Sequence, residues 1–113
     1  MKETIPPAAQ QLLLQLSTFQ QSASAIALQR EGLALQRAEL ERAIKELGNV
    51  KEKEEVYKAV GPILVKSAKA RLQRELTERK ETTELRLRSL EEQEKRLKAK
   101  VAETQRKLQE LLK

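Results

Sequence analysis

The side chains that most often carry out chemistry in proteins are missing from this sequence. It has no His, no Cys and no Asp, so the commonest metal ligands, the readiest thiolate nucleophile and the one side chain that titrates near neutrality are absent. All 17 acidic residues are Glu, set among 23 Lys and Arg. A Glu-only or Lys-based catalytic site would need a concave pocket that excludes water, which long helices do not supply by themselves. There is no Gly-rich phosphate loop. We therefore expect no enzyme activity, no metal and no cofactor, and with no Cys no disulfide contributes to stability.

What remains to carry function is apolar surface and positive charge, and both are unevenly placed. The net charge of +6 is concentrated at one end, where Lys95, Arg96, Lys98, Lys100, Arg106, Lys107 and Lys113 face only Glu103 and Glu110. At the other end no charge falls between Glu3 and Arg30, a stretch that holds Leu12, Leu13 and Leu14 but also six Gln residues. That stretch is too polar for a membrane span and its apolar block too short for a secretory segment, which predicts a soluble, cytoplasmic protein with no membrane partner. A basic helix leading into a zipper would suit nucleic acid, but these cations alternate with Leu97, Val101 and Leu108 on one seam, and aromatic residues for base stacking amount to 2%. Docking to an acidic protein, or a solvated helix face, accounts for the charge better, and no nucleic-acid partner is expected.

Long helices must position these residues. With 35% charged residues and hardly any aromatics, 113 residues cannot bury a broad globular core, and the Leu, Ala, Glu, Lys, Arg and Gln that dominate are the residues of coiled coils. Two heptad series follow. In the first, d is Leu12, Phe19, Ile26, Leu33, Leu40 and Leu47, with a positions Ala9, Leu16, Ala23, Arg30, Arg37 and Ile44. In the second, d is Leu76, Thr83, Leu90, Leu97, Thr104 and Leu111, with a positions Gln73, Lys80, Leu87, Glu94, Val101 and Leu108. Charges on a seam read as snorkelling side chains that tune register. Thr4 and Pro6-Pro7 mark the first helix start and Gly48-Asn49 a left-handed end, Ser67 is placed to cap the second helix, and Gly32 falls on an outward position. Glu75 with Arg79, Glu84 with Arg88, Glu91 with Lys95 and Glu92 with Arg96 are spaced for i, i+4 ion pairs. Each helix of some forty residues should be roughly 60 Å long.

Between the helices lies a different kind of sequence. Val56-Tyr57-Lys58-Ala59-Val60, with the only Tyr of the chain, is followed by Gly61-Pro62 and then Ile63-Leu64-Val65. Two β-rich runs around a Gly-Pro pair predict a β-hairpin, with Gly61 supplying the positive φ of a tight turn. A hairpin returns the chain to where it left, so the helices should pack antiparallel in one domain over 1–113: helix 6–48, hairpin segment 49–67, helix 68–113. An isolated hairpin is marginal, and its edges would be unpaired, with Val56, Val60, Ile63 and Val65 exposed. Pairing with hairpins of other chains into a sheet or barrel would satisfy both. A connector folded against its own helices is the simpler alternative.

The run from Val56 to Lys66 between two helices resembles the prefoldin family, specifically its β type, and Arg79-Lys80-Glu81-Thr82-Thr83-Glu84-Leu85-Arg86-Leu87 and Leu90-Glu91-Glu92-Gln93-Glu94 are similar to that family after its hairpin. The resemblance spans nearly the whole chain, and a single central hairpin fits the β type because the α type carries two. It implies a hexamer of two α-type and four β-type subunits, with hairpins forming an intersubunit β-barrel from which coiled coils extend. It also implies an ATP-independent holdase that captures unfolded clients at coiled-coil tips and passes them to a group II chaperonin. Mapped onto this chain, oligomerisation falls on Val56, Tyr57, Val60, Gly61, Ile63, Leu64 and Val65, and client binding on Leu12, Leu13, Leu16, Phe19, Leu108, Leu111 and Leu112. Docking to an acidic chaperonin surface is assigned to Lys95, Lys98, Lys100, Arg106 and Lys107. A structural coiled coil without clients and a basic nucleic-acid binder are the alternative readings.

Overall fold

The computed structural model describes residues 5–113 as α1 (Pro7–Gly48), β1 (Val56–Val60), β2 (Ile63–Ser67) and α2 (Lys69–Leu111). Two long helices joined by a β-hairpin is the fold expected from the heptads and the Gly-Pro break. The chain divides into two compact units, one of Met1–Glu31 with Arg88–Lys113 and the other of Gly32–Leu87.

α1 opens where Pro7 sits at the first helical position, which has no use for an N–H. The Gln10 N–H donates to the Pro6 carbonyl at 3.0 Å, and the Gln10 side chain donates to the Ile5 carbonyl at 2.9 Å. Thr4, read as part of this start signal, lies outside the described residues.

In the first unit the seam residues Ala9, Leu12, Leu16, Phe19, Ala23, Ile26 and Arg30 of α1 and Leu90, Glu94, Leu97, Val101, Thr104 and Leu108 of α2 are buried or half-buried. Arg30 and Glu94 meet on this seam, Nε donating to Oε2 at 3.0 Å. A paired charge on a seam favours one register over its neighbours, because any slip leaves both groups unpaired in partly apolar surroundings. Leu111 departs from the expected pattern. It is 45% exposed, because it is the last residue of α2 and no further turn covers it.

In the second unit Leu33, Arg37, Leu40, Ile44 and Leu47 pack with Gln73, Leu76, Lys80, Thr83 and Leu87 in the same antiparallel sense. Lys80 snorkels from the seam toward Glu41 on α1, at 3.8 Å, and Glu84 on its own helix, at 3.7 Å. Thr83, buried, satisfies its hydroxyl by donating to the Arg79 carbonyl at 2.8 Å. The core of both units is this narrow stripe, and full burial of a Leu, worth about 1.5–3 kcal/mol, is approached only at a few positions such as Leu87.

The ends of the helices differ from expectation. No described residue other than Gly61 has positive φ, so Gly48 and Asn49 do not form a left-handed cap. The chain instead tightens, with Asn49 N–H donating to Glu46 and Val50 N–H to Leu47, both at 3.1 Å. The leftover carbonyls go to Lys69, whose Nζ donates to Val50 at 2.6 Å and to Gly48 at 3.5 Å. Ser67 is not a cap either. It is the last residue of β2, paired with Val56, and α2 opens from the Ala68 carbonyl, which accepts from the Leu72 N–H at 2.9 Å.

None of the four expected Glu-first pairs on α2 forms. Glu75 is taken by Lys58 of the hairpin and by Arg71, and Glu84 by Lys80, while Glu91 and Glu92 form no ion pair with a described residue. Exposed pairs gain so little that a nearby competitor decides which one is made.

Candidate functional site

The hairpin is built from a strict register: Val56 opposite Ser67, Tyr57 opposite Lys66, Lys58 opposite Val65, Ala59 opposite Leu64, and Val60 opposite Ile63. The two-residue loop Gly61-Pro62 closes it. Gly61 has φ +57° and is followed by Pro with its fixed negative φ, the pattern of a type II′ turn whose twist matches the strands.

Side chains alternate between two faces. One face carries Val56, Lys58 and Val60 with Ile63, Val65 and Ser67. The other carries Tyr57 and Ala59 with Leu64 and Lys66. Both are apolar, and both are exposed along most of their length: Tyr57, Val60, Ile63 and Val65 are each about half exposed, and Leu64 is 72% exposed. The outer edges of β1 and β2 pair with no other strand among the described residues.

Val56 corrects the expected exposure. At 8% it is buried, because the first residue of β1 lies over the hairpin root, against a hollow of about 340 Å³ lined by Ala43, Leu47, Val50, Leu72 and Leu76. It anchors the hairpin to its own helices, and the free apolar surface begins at Tyr57.

The charged run before β1 has local uses. Lys51 and Glu54 close a turn on each other, the Glu54 N–H donating to the Lys51 carbonyl at 3.0 Å and the Lys51 N–H to Glu54 Oε1 at 3.2 Å. Glu55 then clasps the first exposed cross-strand pair. It accepts from the Tyr57 hydroxyl at 2.6 Å and from Lys66 Nζ at 3.3 Å. The Tyr57 bond, and after it the Lys66 bond, hold the Glu55 carboxyl below its ordinary value, and the same bond, with some burial, raises the Tyr57 phenol above its own. Lys58 donates to Glu75 at 2.8 Å, which lowers the Glu75 carboxyl. Sequence reading missed Glu55 and Lys69 as partners and gave Glu75 to Arg79 in place of Lys58, since these contacts run across strands or between elements.

The second candidate region lies in the first unit, where the uncharged start of α1 runs beside the basic end of α2. The residues read as client contacts divide into two sets. Leu12, Leu16, Phe19 and Leu108 are half-buried on the seam, while Leu13, Leu111 and Leu112 are exposed. Leu14, 71% exposed, and Leu28, similarly exposed, both lie two residues or more off the d positions of the first series and add to the second set. Leu35 and Leu85, exposed on the second unit, were not singled out.

The five cations assigned to docking are mostly engaged. Lys98 pairs with Glu94 at 3.3 Å, Lys107 with Glu103 at 3.4 Å and Arg106 with Glu110 at 3.0 Å. Lys100 Nζ stands 5.6 Å from the centroid of the Phe19 ring, a cation–π contact across the two helices. Lys95 pairs with no described residue. The Arg30 bond holds Glu94 well ionised, so Lys98 and Arg30 share one carboxylate.

No described helix is long and apolar enough to cross a membrane. Among the described residues there is no group of three acidic side chains placed to hold a metal ion.

Comparison with known proteins places these features in context. Residues 10–113 match the family described as Prefoldin subunit. The chain is 45% identical over 108 residues to the prefoldin subunit beta of Archaeoglobus fulgidus, covering 96% of this chain and 93% of that protein. It is 39% identical over 110 residues to the corresponding subunit of Thermococcus onnurineus, covering 97% and 95%. The crystal structure of the prefoldin beta subunit from Thermococcus strain KS-1 superposes with a TM-score of 0.91 at 36% identity, over 99% of this chain and 98% of that one.

Proposed function

The chain belongs to the prefoldin family as a β-type subunit, and from that premise we propose that it is the client-capturing part of an ATP-independent holdase. The β-subunit identity implies assembly with other prefoldin subunits and a co-chaperone role. The finer reading is a cytoplasmic hexamer of four such chains with two α-type subunits, which captures unfolded proteins at the helix ends and delivers them to a group II chaperonin. It works without catalysis or cofactor and without a nucleic-acid partner, as one domain over 1–113.

The observation that carries this reading is the hairpin, apolar on both faces and open at both edges. Such a ribbon is unfavourable in water as a lone element, and strand addition from other chains satisfies its backbone and covers Tyr57, Val60, Ile63, Leu64 and Val65 around the Gly61 turn. Val56 serves the same end from beneath, as the anchor. At the other unit, exposed Leu13, Leu14, Leu111 and Leu112 beside half-buried Leu12, Leu16, Phe19 and Leu108 offer scattered apolar contacts, suited to holding many sequences loosely. Lys95, Lys98, Lys100, Arg106 and Lys107 give that end a positive field toward an acidic chaperonin surface.

The test is native mass spectrometry of the chain with an α-type prefoldin subunit, followed by an aggregation assay with a chemically unfolded client and no nucleotide. A complex of four copies with two partners that suppresses aggregation is expected. A chain that ignores the partner, or a hexamer that leaves aggregation unchanged, overturns the assembly or the holdase reading respectively.

A further inference from the structure

Two contacts tie the hairpin strands to the helices of their own unit, below which Lys69 joins α2 to the Val50 and Gly48 carbonyls at the end of α1. Val56 is buried at the root, and Lys58 reaches Glu75 on α2. The last of these differs in kind. Lys58 stands at the middle of β1, on the face that also carries Val60, Val65 and Ile63, so it is the one charge on an otherwise apolar surface. An ammonium left in that position would resist the covering of the face by another chain, because its charge would have to leave water unpaired.

Glu75 removes the obstacle. It draws the Lys58 side chain back to α2 at 2.8 Å, and is itself held from the other side by Arg71 at 3.9 Å. The pair thus has two effects at once. It clears the apolar half of the strand face beyond Lys58, and it ties the middle of β1 to α2, a second point of attachment beyond the root contact at Val56.

We propose that Lys58 and Glu75 are positioning residues for assembly, presenting the hairpin to neighbouring chains at a set angle with its charge already neutralised. This rests on the reading that the hairpin is the assembly element. In the single chain both groups are partly exposed, so the pair is weak there. Covering the hairpin strengthens it, since attraction grows as water is excluded.

The experiment compares Lys58→Glu, Glu75→Lys and the double exchange with the unaltered chain, in titrations against an α-type subunit followed by native mass. Each single reversal sets like charges together and is expected to raise the concentration for half-assembly by about tenfold or more, and the double exchange to recover most of it. Far-ultraviolet circular dichroism of each chain establishes that the helices form. Hydrogen exchange of the hairpin amides in the chain alone gives a readout that needs no partner: faster in the single reversals, restored in the exchange. Single reversals that assemble and exchange like the unaltered chain overturn the proposal. So does a double exchange that fails to recover, which would mean the two residues act through other chains and not through each other. An unaltered chain that does not assemble defeats the assembly reading itself, whatever the variants do.

Discussion

At the scale of single residues, the hairpin depends on two side-chain choices that can be tested in isolation. Gly61 is the described residue with positive φ, and a Cβ there meets no neighbour, so the penalty for any other residue is purely conformational. Gly61→Ala should destabilise the hairpin by about 1–2 kcal/mol, read as faster amide exchange at Val60 and Ile63 with α1 and α2 unaffected. Tyr57 offers a second test, because it is the only Tyr in the chain and its phenolate absorbance reports one site. Its hydroxyl donates to Glu55, and losing that proton would set a phenolate against a carboxylate, so its titration should lie above the ordinary 10.0. Glu55→Gln should bring it back toward that value. The sign of the linkage follows from the two shifts. A raised phenol contributes stability that is full below pH 10 and is lost as pH rises through the raised value. The lowered Glu55 contributes stability that is full above its ordinary 4.5 and is lost as pH falls through the lowered value. The clasp therefore works across the whole neutral range and opens at both extremes. A Tyr57 titration at its ordinary value, indifferent to Glu55→Gln, would show that the clasp does not form in solution.

At the scale of elements, the seams separate residues that look alike in composition. Leu87 is 2% exposed and Leu85, two positions earlier, is 61% exposed. Leu87→Ala should lower stability by about 2–4 kcal/mol, and Leu85→Ala should change it by no more than about 0.5 kcal/mol. Thermal unfolding of the two variants decides this, and equal losses would mean that the seam is placed wrongly. Both helices and the hairpin between them were legible in the sequence because heptad spacing and a Gly-Pro turn act through local geometry, which a linear pattern encodes. The left-handed cap at Gly48, the Ser67 cap and the Glu-first pairs were not legible. Partners from other elements displaced the caps and one of the pairs, since Lys69 took the α1 carbonyls, strand pairing took Ser67 and Lys58 took Glu75, while Glu84 went to Lys80 on its own helix. Val56 was misread for a related reason. It was expected to be exposed with Val60, Ile63 and Val65, but whether a strand residue meets helix or solvent depends on how far along the strand the helices reach.

At the scale of the whole molecule, the excess positive charge is the property whose role is least fixed by local contacts. Lys98, Arg106 and Lys107 are paired with Glu94, Glu110 and Glu103, yet ion pairing neutralises a contact without removing net charge, and the chain still carries +6. A field of that kind acts at a distance, over about 8–10 Å at ordinary ionic strength, so it speeds encounter with an acidic surface more than it holds a complex together. Replacing Lys98, Lys100, Arg106 and Lys107 by Gln should therefore slow association with a group II chaperonin at low salt, with little change in dissociation, and the difference should vanish as salt is raised. The same replacement uncovers Phe19 by removing Lys100 from its ring. Client capture should for that reason be maintained or strengthened while chaperonin encounter weakens. Stopped-flow association measured across a salt series, beside aggregation suppression with the same variant, separates the two effects. A parallel loss of both, independent of salt, would place the cations among the client contacts instead.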